Sequence, residues 1–290
     1  MSILEECLQF MKTKIDPIES NEWLEILLEL KRKAVGIRFL FNKEDYEISD
    51  ALSRVGTIPY CTAVRNATKG SSLKLNLNNF ACLSAARALG LIETDADSLS
   101  GKRHSDMGVY ENILVSRNIA KDMVYCKHSV YGVEIRPLGD FREYKPDIVI
   151  LITSPYNSMR IVQAHAYTKG QLKNIKMAGM QAICQECTSY VFERNEINLS
   201  MLCSGTRCVS QWSKDELGVG IPFQQIDDVI YGLMQTMNPM ENNEDKKIIQ
   251  AKLESSGKKL DFEIEYNKNY YTGVFLSKGI KGNDGEWGDA

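Results

Sequence analysis

The chain has 290 residues, 43% hydrophobic and 25% charged, which is enough apolar material for one large core or two ordinary ones. A net charge of -3 and a pI of about 5.8 offer no general attraction for nucleic acid. No apolar run approaches the roughly 18 residues of a membrane span, so neither nucleic acid nor membrane is an expected partner.

The first fifteen residues, MSILEECLQFMKTKI, carry two glutamates inside an apolar stretch with helical spacing, so residues 1–30 read as an N-terminal helical segment rather than a secretory signal. A chain without such a signal is expected to be cytoplasmic. There its eight cysteines stay reduced and are free, bind metal or do chemistry, and disulfides are the least expected use.

The first strand expected is VGIRFLF at 35–41, β-branched and aromatic and bounded by charge. Two helical stretches follow, PYCTAVRNATKG at 59–70 and FACLSAARALGL at 80–91, each closing at a glycine. GKRHSDMGVYENILVSRNIAKDM reads as a loop and then a helix, with His104 in the polar loop, and YGVEIRPL as a strand. A further strand, DIVILITS at 147–154, leads into the helix PYNSMRIVQAHAYTKG, and MAGMQAICQECTSYVF reads as another helix. EINLSMLC is expected to be a strand running into the turn CSGTRC. GVGIPFQQIDDVIYGLMQTM then gives a strand or turn and a helix ending near Asn238-Pro239.

The tail adds a charged helix at about 241–256, whose Lys246, Lys247 and Lys252 alternate with acids as on a solvated face. A hairpin-like pair, LDFEIEY and YYTGVFL, and a glycine-rich acidic end expected to be disordered complete it.

Thr68-Lys69-Gly70 and Thr168-Lys169-Gly170 recur one hundred positions apart, each after a strand, a Pro-Tyr and a helix. Cys82 and Cys184 fall near the start of the helix that follows each tripeptide. The chain therefore reads as an α/β or α+β protein of two pseudo-duplicated strand-helix-helix halves, about 31–140 and 141–238, packed around a shared cleft. Residues 239–290 follow as a C-terminal appendage.

The ordered series VGIRFLF, PYCTAVRNATKG, FACLSAARALGL, PDIVILITSPYNSMRIVQAHAYTKG, MAGMQAIC, LCSGTRC and ELGVGIP resembles the domain-of-unknown-function 169 family of bacterial and archaeal proteins, over roughly 30–235. The resemblance implies no general activity. It does imply a shared cysteine pattern at Cys61, Cys82 and Cys184, with a Gly-x-Arg turn at Gly205 and Arg207 preceded by Cys203. Cys187 and Cys208 stand outside that pattern.

Four thiolates are the usual protein ligands of an iron-sulfur cluster, because soft sulfur matches iron. Cys61, Cys82, Cys184 and Cys203, two from each half, are the expected ligands of such a cluster, 4Fe-4S in type. Cys82 and Cys184 lie near expected helix N-termini, where the helix dipole would lower a thiol pKa. Arg207 could clamp a small anionic substrate and His165 could face the cleft beside it. The expected chemistry is redox, sulfur transfer or Lewis-acid catalysis, with a redox partner or a homo-oligomer as the possible protein partners.

Other readings stay open. Cysteine is also a small buried hydrophobe. A thiol enzyme could use Cys61, Cys82 or Cys184 as nucleophile. The chain could equally be a non-catalytic small-molecule or metal-binding protein. Cys184, Cys187, Cys203 and Cys208 approximate a structural zinc ribbon, although the second pair is spaced too widely and the first falls on an expected helix, at i and i+3. No Ser-His-Asp order, zinc-protease motif or phosphate loop is present.

Overall fold

The computed structural model describes residues 16–268 and residue 270. Helix α1 (Pro17–Leu28) starts where the Asp16 carboxylate accepts from the Glu19 amide and Pro17 presets the first turn. Strand β1 (Val35–Leu40), helix α2 (Lys43–Ile48), strand β2 (Leu52–Ser53), helix α3 (Tyr60–Ala67) and strand β3 (Leu73–Asn76) follow. Four helices come next, α4 (Leu83–Ala88), α5 (Ala96–Leu99), α6 (Lys102–Asp106) and α7 (Ile113–Asp122), before strands β4 (Gly132–Pro137) and β5 (Ile148–Thr153).

Helix α8 (Pro155–Lys169) is capped by Ser154, whose hydroxyl accepts from the Asn157 amide. A π-helix (Ala182–Ser189) then runs into α9 (Tyr190–Arg194), strand β6 (Asn198–Ser200), α10 (Ser204–Ser210) and strand β7 (Leu217–Pro222). Helices α11 (Ile226–Gln235), α12 (Met237–Met240) and α13 (Asn243–Ser256) complete the described chain.

The seven strands form one mixed sheet in the order β2-β3-β4-β1-β5-β7-β6, with only β2 and β3 parallel. At its centre β1 runs antiparallel to β5, Val35 opposite Ile150. On either side the order repeats outward, β1-β4-β3 and β5-β7-β6. The second strand of each set, GVEIRP and LGVGIP, ends in proline and passes into a 3-10 turn. An antiparallel central pair places any two-fold axis normal to the sheet, which would keep equivalent helices on one face. The two Thr-Lys-Gly helices do not obey this: α3 packs on one face and α8 on the other.

Both faces of β5 are covered, which explains why IVILIT is apolar without alternation, whereas β1 and β4 carry Arg38, Glu134 and Arg136 among their apolar residues. Ile37, Phe39, Ile148, Ile150 and Ile135 face α3, α4 and the π-helix. Val149, Leu151, Val219 and Ile221 face α1, α8, α11 and α13, so the N- and C-terminal flanks share this second core. Each fully buried aliphatic side chain adds about 1.5–3 kcal/mol, so both layers contribute to holding the sheet.

The glycines of the GVGIP stretch seat the π-helix. A Cβ at Gly218 would lie 2.9 Å from Cys187 Sγ, and one at Gly220 would lie 2.4 Å from the Cys187 carbonyl oxygen. Only glycine lets this helix rest directly on β7, and that contact sets the height of Cys184 above the sheet.

Several expectations need correction. Among the lysines of α13, Lys246 is fully buried and not solvated: its ammonium donates to the carbonyls of Asn238, Glu265 and Lys268, each at 2.8 Å. Residues 260–266, the first arm of the expected hairpin, form no strand. Its second arm, apart from Tyr270, lies outside the described residues, as do the first fifteen residues and the acidic end. The turn CSGTRC is helical as α10, and the single helix expected over MAGMQAICQECTSYVF is a loop, the π-helix and α9. Among the described residues no helix is long and apolar enough to cross a membrane.

Candidate cysteine-lined site

Four elements bring Cys61, Cys82, Cys184 and Cys203 to the wall of one cavity of about 370 Å³. Cys61 is the second residue of α3, and Cys82 occupies the N-cap position of α4. Cys184 is the third residue of the π-helix, and Cys203 caps α10, its Sγ accepting from the Thr206 amide at 3.3 Å. Cys184 is buried, Cys61 and Cys203 are half-buried and Cys82 is exposed, so the thiols run from the interior to the surface. The rest of the wall is mostly apolar, with Tyr60, Met107, Met180, Ile183 and Val209 among its residues.

The helix-dipole expectation for these thiols reverses for the buried one. Burial pushes Cys184 well above the usual thiol range, and the neighbouring Cys82, Cys203 and Cys61 add to it. Burial also pushes Cys61 up, against hydrogen bonds from Ser210 and Thr206 that favour its thiolate. Desolvation of the charged form outweighs the weak pull of a helix end. Both thiols therefore hold their protons at the inner end of the cavity until something cationic meets them.

The zinc-ribbon set is not brought together. In a π-helix the i to i+5 hydrogen bonding widens the turn, so residues three apart no longer share a face. Cys187 accordingly points down onto Gly218 of β7 and is fully buried, while Cys184 reaches the cavity. Cys208 is exposed on α10 and absent from the cavity wall. Among the described residues no three His, Cys, Asp or Glu side chains come close enough to share one metal ion.

Arg207 and His165 lie elsewhere. The Arg207 guanidinium donates to the carbonyls of Met201 at 2.7 Å and Glu216 at 3.0 Å, and also to that of Ser213. It therefore closes the loop after α10 and has no place on the cavity wall. His165, on α8, sits beyond the opposite face of the sheet, in a polar depression with Lys169, Lys173 and Asp228. Burial and Lys169 lower its proton affinity.

The cavity instead receives two groups not singled out from sequence. His104 is only 2% exposed, with its ring edge against Tyr110 and its Nδ1 without a hydrogen-bond partner. Gln181, held at a left-handed φ of 52° just before the π-helix, presents an Oε1 that is likewise unpartnered. Burial, and then Arg103, lowers the pKa of His104, which favours the neutral imidazole. No neighbour at helical spacing marks His104 as inward, since Met107 three residues on is itself exposed.

A second cavity, about 570 Å³, opens beside Asp147 at the start of β5 and is lined by Lys145, Phe192, Asn195 and Phe223. The Asp147 carboxylate accepts from the Phe39 amide at 2.7 Å, yet burial pushes its pKa up to about 6. A carboxyl whose folded pKa exceeds its unfolded one stabilises the fold while protonated, and that stabilisation is lost as pH rises through the folded pKa. Asp147→Asn is thus expected to gain on the parent by about 2–3 kcal/mol between pH 4 and pH 7. Urea unfolding midpoints of both proteins across that range provide the check.

The sequence pattern of the DUF169 family, described as uncharacterised ArCR, matches residues 24–232. The chain is similar to an uncharacterized protein of Methanocaldococcus jannaschii, MJ0308, at 23% identity over 218 residues, which cover 73% of this chain and 91% of that protein. No solved structure matches the chain.

Proposed function

The chain belongs to the DUF169 family, and from its cysteine-lined cavity we propose that Cys61, Cys82, Cys184 and Cys203 hold an iron-sulfur cluster, 4Fe-4S in type. The observation that carries this reading is the convergence of four thiols, from four separate elements, on one largely apolar cavity. Sulfur-only ligation suits iron-sulfur clusters and gives them a site where solvent access controls potential.

A single ion and a cluster ask different spacings of their donors. An ion such as zinc needs every thiolate within about 2.3 Å of one point. A cluster places its ligands on separate irons, so its cysteines stand further apart.

When bound, the cluster would supply electron transfer if all four cysteines ligate, and an open iron acting as a Lewis acid or sulfur carrier if the exposed Cys82 does not. This chain's own residues contribute a largely apolar wall and the thiols. Cys61 and Cys184, whose protons are held by burial, release them on loading. The protein is read as an enzyme of a reducing, cytoplasmic compartment. The anionic substrate expected from Arg207 loses its support here, since that guanidinium is already bonded to three carbonyls.

Anaerobic purification from iron-replete cells, with visible spectroscopy and assay of iron, zinc and acid-labile sulfide, tests the reading. Expected are a brown protein with iron and sulfide in equal amounts, and loss of both in Cys61→Ala, Cys184→Ala and Cys203→Ala. Cys187→Ala and Cys208→Ala should keep them. A colourless, metal-free, folded protein would falsify the cluster. Zinc that depends on Cys187 and Cys208 would move the site to the ribbon set.

A further inference from the structure

Two residues that line the cysteine-lined cavity each keep a buried polar atom without a hydrogen-bond partner among the described residues, His104 Nδ1 and Gln181 Oε1. They come from α6 and from the residue that leads into the π-helix, segments other than those bearing Cys61, Cys82 and Cys203. Leaving one such atom unpaired costs about 1–3 kcal/mol, which a ligand group placed against it recovers. Two on one wall are a stronger sign than one.

The charge of the wall restricts the ligand. Among the described residues no lysine, arginine, aspartate or glutamate lines the cavity; Arg103, beside His104, is paired with Asp95, and Arg207 faces its own loop. A charged ligand would be desolvated there without a counter-ion, which costs far more than burying a neutral polar group that finds a hydrogen bond. Met107, Met180, Ile183 and Val209 offer an apolar bed for the remainder of the molecule. The Tyr110 ring, 6.1 Å from that of His104 and nearly perpendicular to it, holds the imidazole in place.

We propose that the cavity contains, beside its thiols, a subsite for a small uncharged molecule with an apolar body and a polar head, the head donating a hydrogen bond to Gln181 Oε1 and bonding His104 Nδ1. A neutral carboxamide is the simplest such head. Assigning this molecule as substrate rests on the cluster reading, whereas its binding does not.

Benzamide and benzoate, alike in shape and different in charge, are the probes. Each is titrated into the full-length protein, purified anaerobically, by saturation-transfer NMR, with iron per chain measured on the same samples. Benzamide is expected to bind and benzoate to bind about tenfold more weakly or not at all. His104→Phe and Gln181→Met should each lose about tenfold in benzamide affinity, the worth of one hydrogen bond to a buried group. Both variants should keep the iron content of the parent. Benzoate binding as tightly as benzamide, benzamide indifferent to both substitutions, or neither probe binding would each overturn the subsite. Because iron is read separately, a missing cluster with benzamide still bound refutes the cluster alone, and the converse refutes the subsite alone. If His104→Phe does not fold, Gln181→Met decides the same point.

Discussion

Replacing Glu241 by alanine is expected to destabilise the protein by about 3–5 kcal/mol, the cost of stranding a buried cation. Arg160 is 1% exposed and Glu241 3%, and the Arg160 Nε donates to the Glu241 carboxylate. The same guanidinium also donates to Gln163 and Thr236, each at 2.9 Å, and to the Leu233 carbonyl. Tyr156 donates its hydroxyl to Glu241 as well, so the carboxylate ties α8 to the end of α12. Alanine would leave Arg160 with neutral acceptors and no counter-charge.

Glu241→Gln keeps an acceptor for the guanidinium and should cost less. The double change Arg160→Met with Glu241→Leu removes both charges and should recover most of the loss, since a buried ion pair is often no better than well-packed apolar residues. Urea unfolding curves of the four proteins separate these cases. The pair lies on the α8 face of the sheet and the cysteines on the other. The metal content of folded Glu241→Ala should therefore match the parent.

That separation of faces was only partly legible in the sequence. Strand β1 was plain from its β-branched and aromatic residues bounded by charge, β5 from its unbroken apolar run, and α8 from its Ser-Pro start and closing glycine. β3 escaped because LKLN is four residues long and adjoins an asparagine-rich turn, so its alternation is too short to register. The recurring Thr-Lys-Gly was misleading as a marker of equivalence: it reports how α3 and α8 stop, and helix stops are local, whereas the face a helix packs on is set by distant strands.

The set Cys61, Cys82, Cys184 and Cys203 was anticipated from the family resemblance and the apparent repeat, and these four line one cavity. The partners they meet were not anticipated. His104 looked polar because its neighbours in GKRHSDMG are, yet α6 turns it inward. Arg207 looked free because glycine precedes it by two, yet the carbonyls that take it come from Met201, Ser213 and Glu216, residues whose approach depends on how the loop after α10 folds back. The π-helix could not be seen at all, since its side-chain pattern differs from that of an α-helix only in a turn too wide to detect over eight residues.

That π-helix depends on Glu186, and Glu186→Ala is the change expected to reach from stability into the site. The side chain is fully buried within a π-helix in which every residue is buried. One carboxylate oxygen accepts from the amides of Ala178 at 2.7 Å and Gly179 at 3.2 Å; the other accepts from the Ser200 hydroxyl. It thus joins the π-helix to β6 and to the loop that delivers Met180 and Gln181 to the cavity. Burial raises its pKa, against these three hydrogen bonds, so the group resists ionisation while serving as the acceptor of the region.

Alanine removes every acceptor at once and leaves two amides and a hydroxyl unsatisfied. Even with partial relaxation the loss should be about 2–4 kcal/mol. Glu186→Gln retains a carbonyl oxygen for the two amides, while its NH2 can donate to Ser200 Oγ, so it should lose much less. In the folded fraction, Glu186→Ala frees the loop before Cys184. Iron retention and benzamide binding are expected to fall together in Glu186→Ala and to survive in Glu186→Gln. Equal loss in both variants would mean that the negative charge, and not the hydrogen bonds, positions this wall of the cavity.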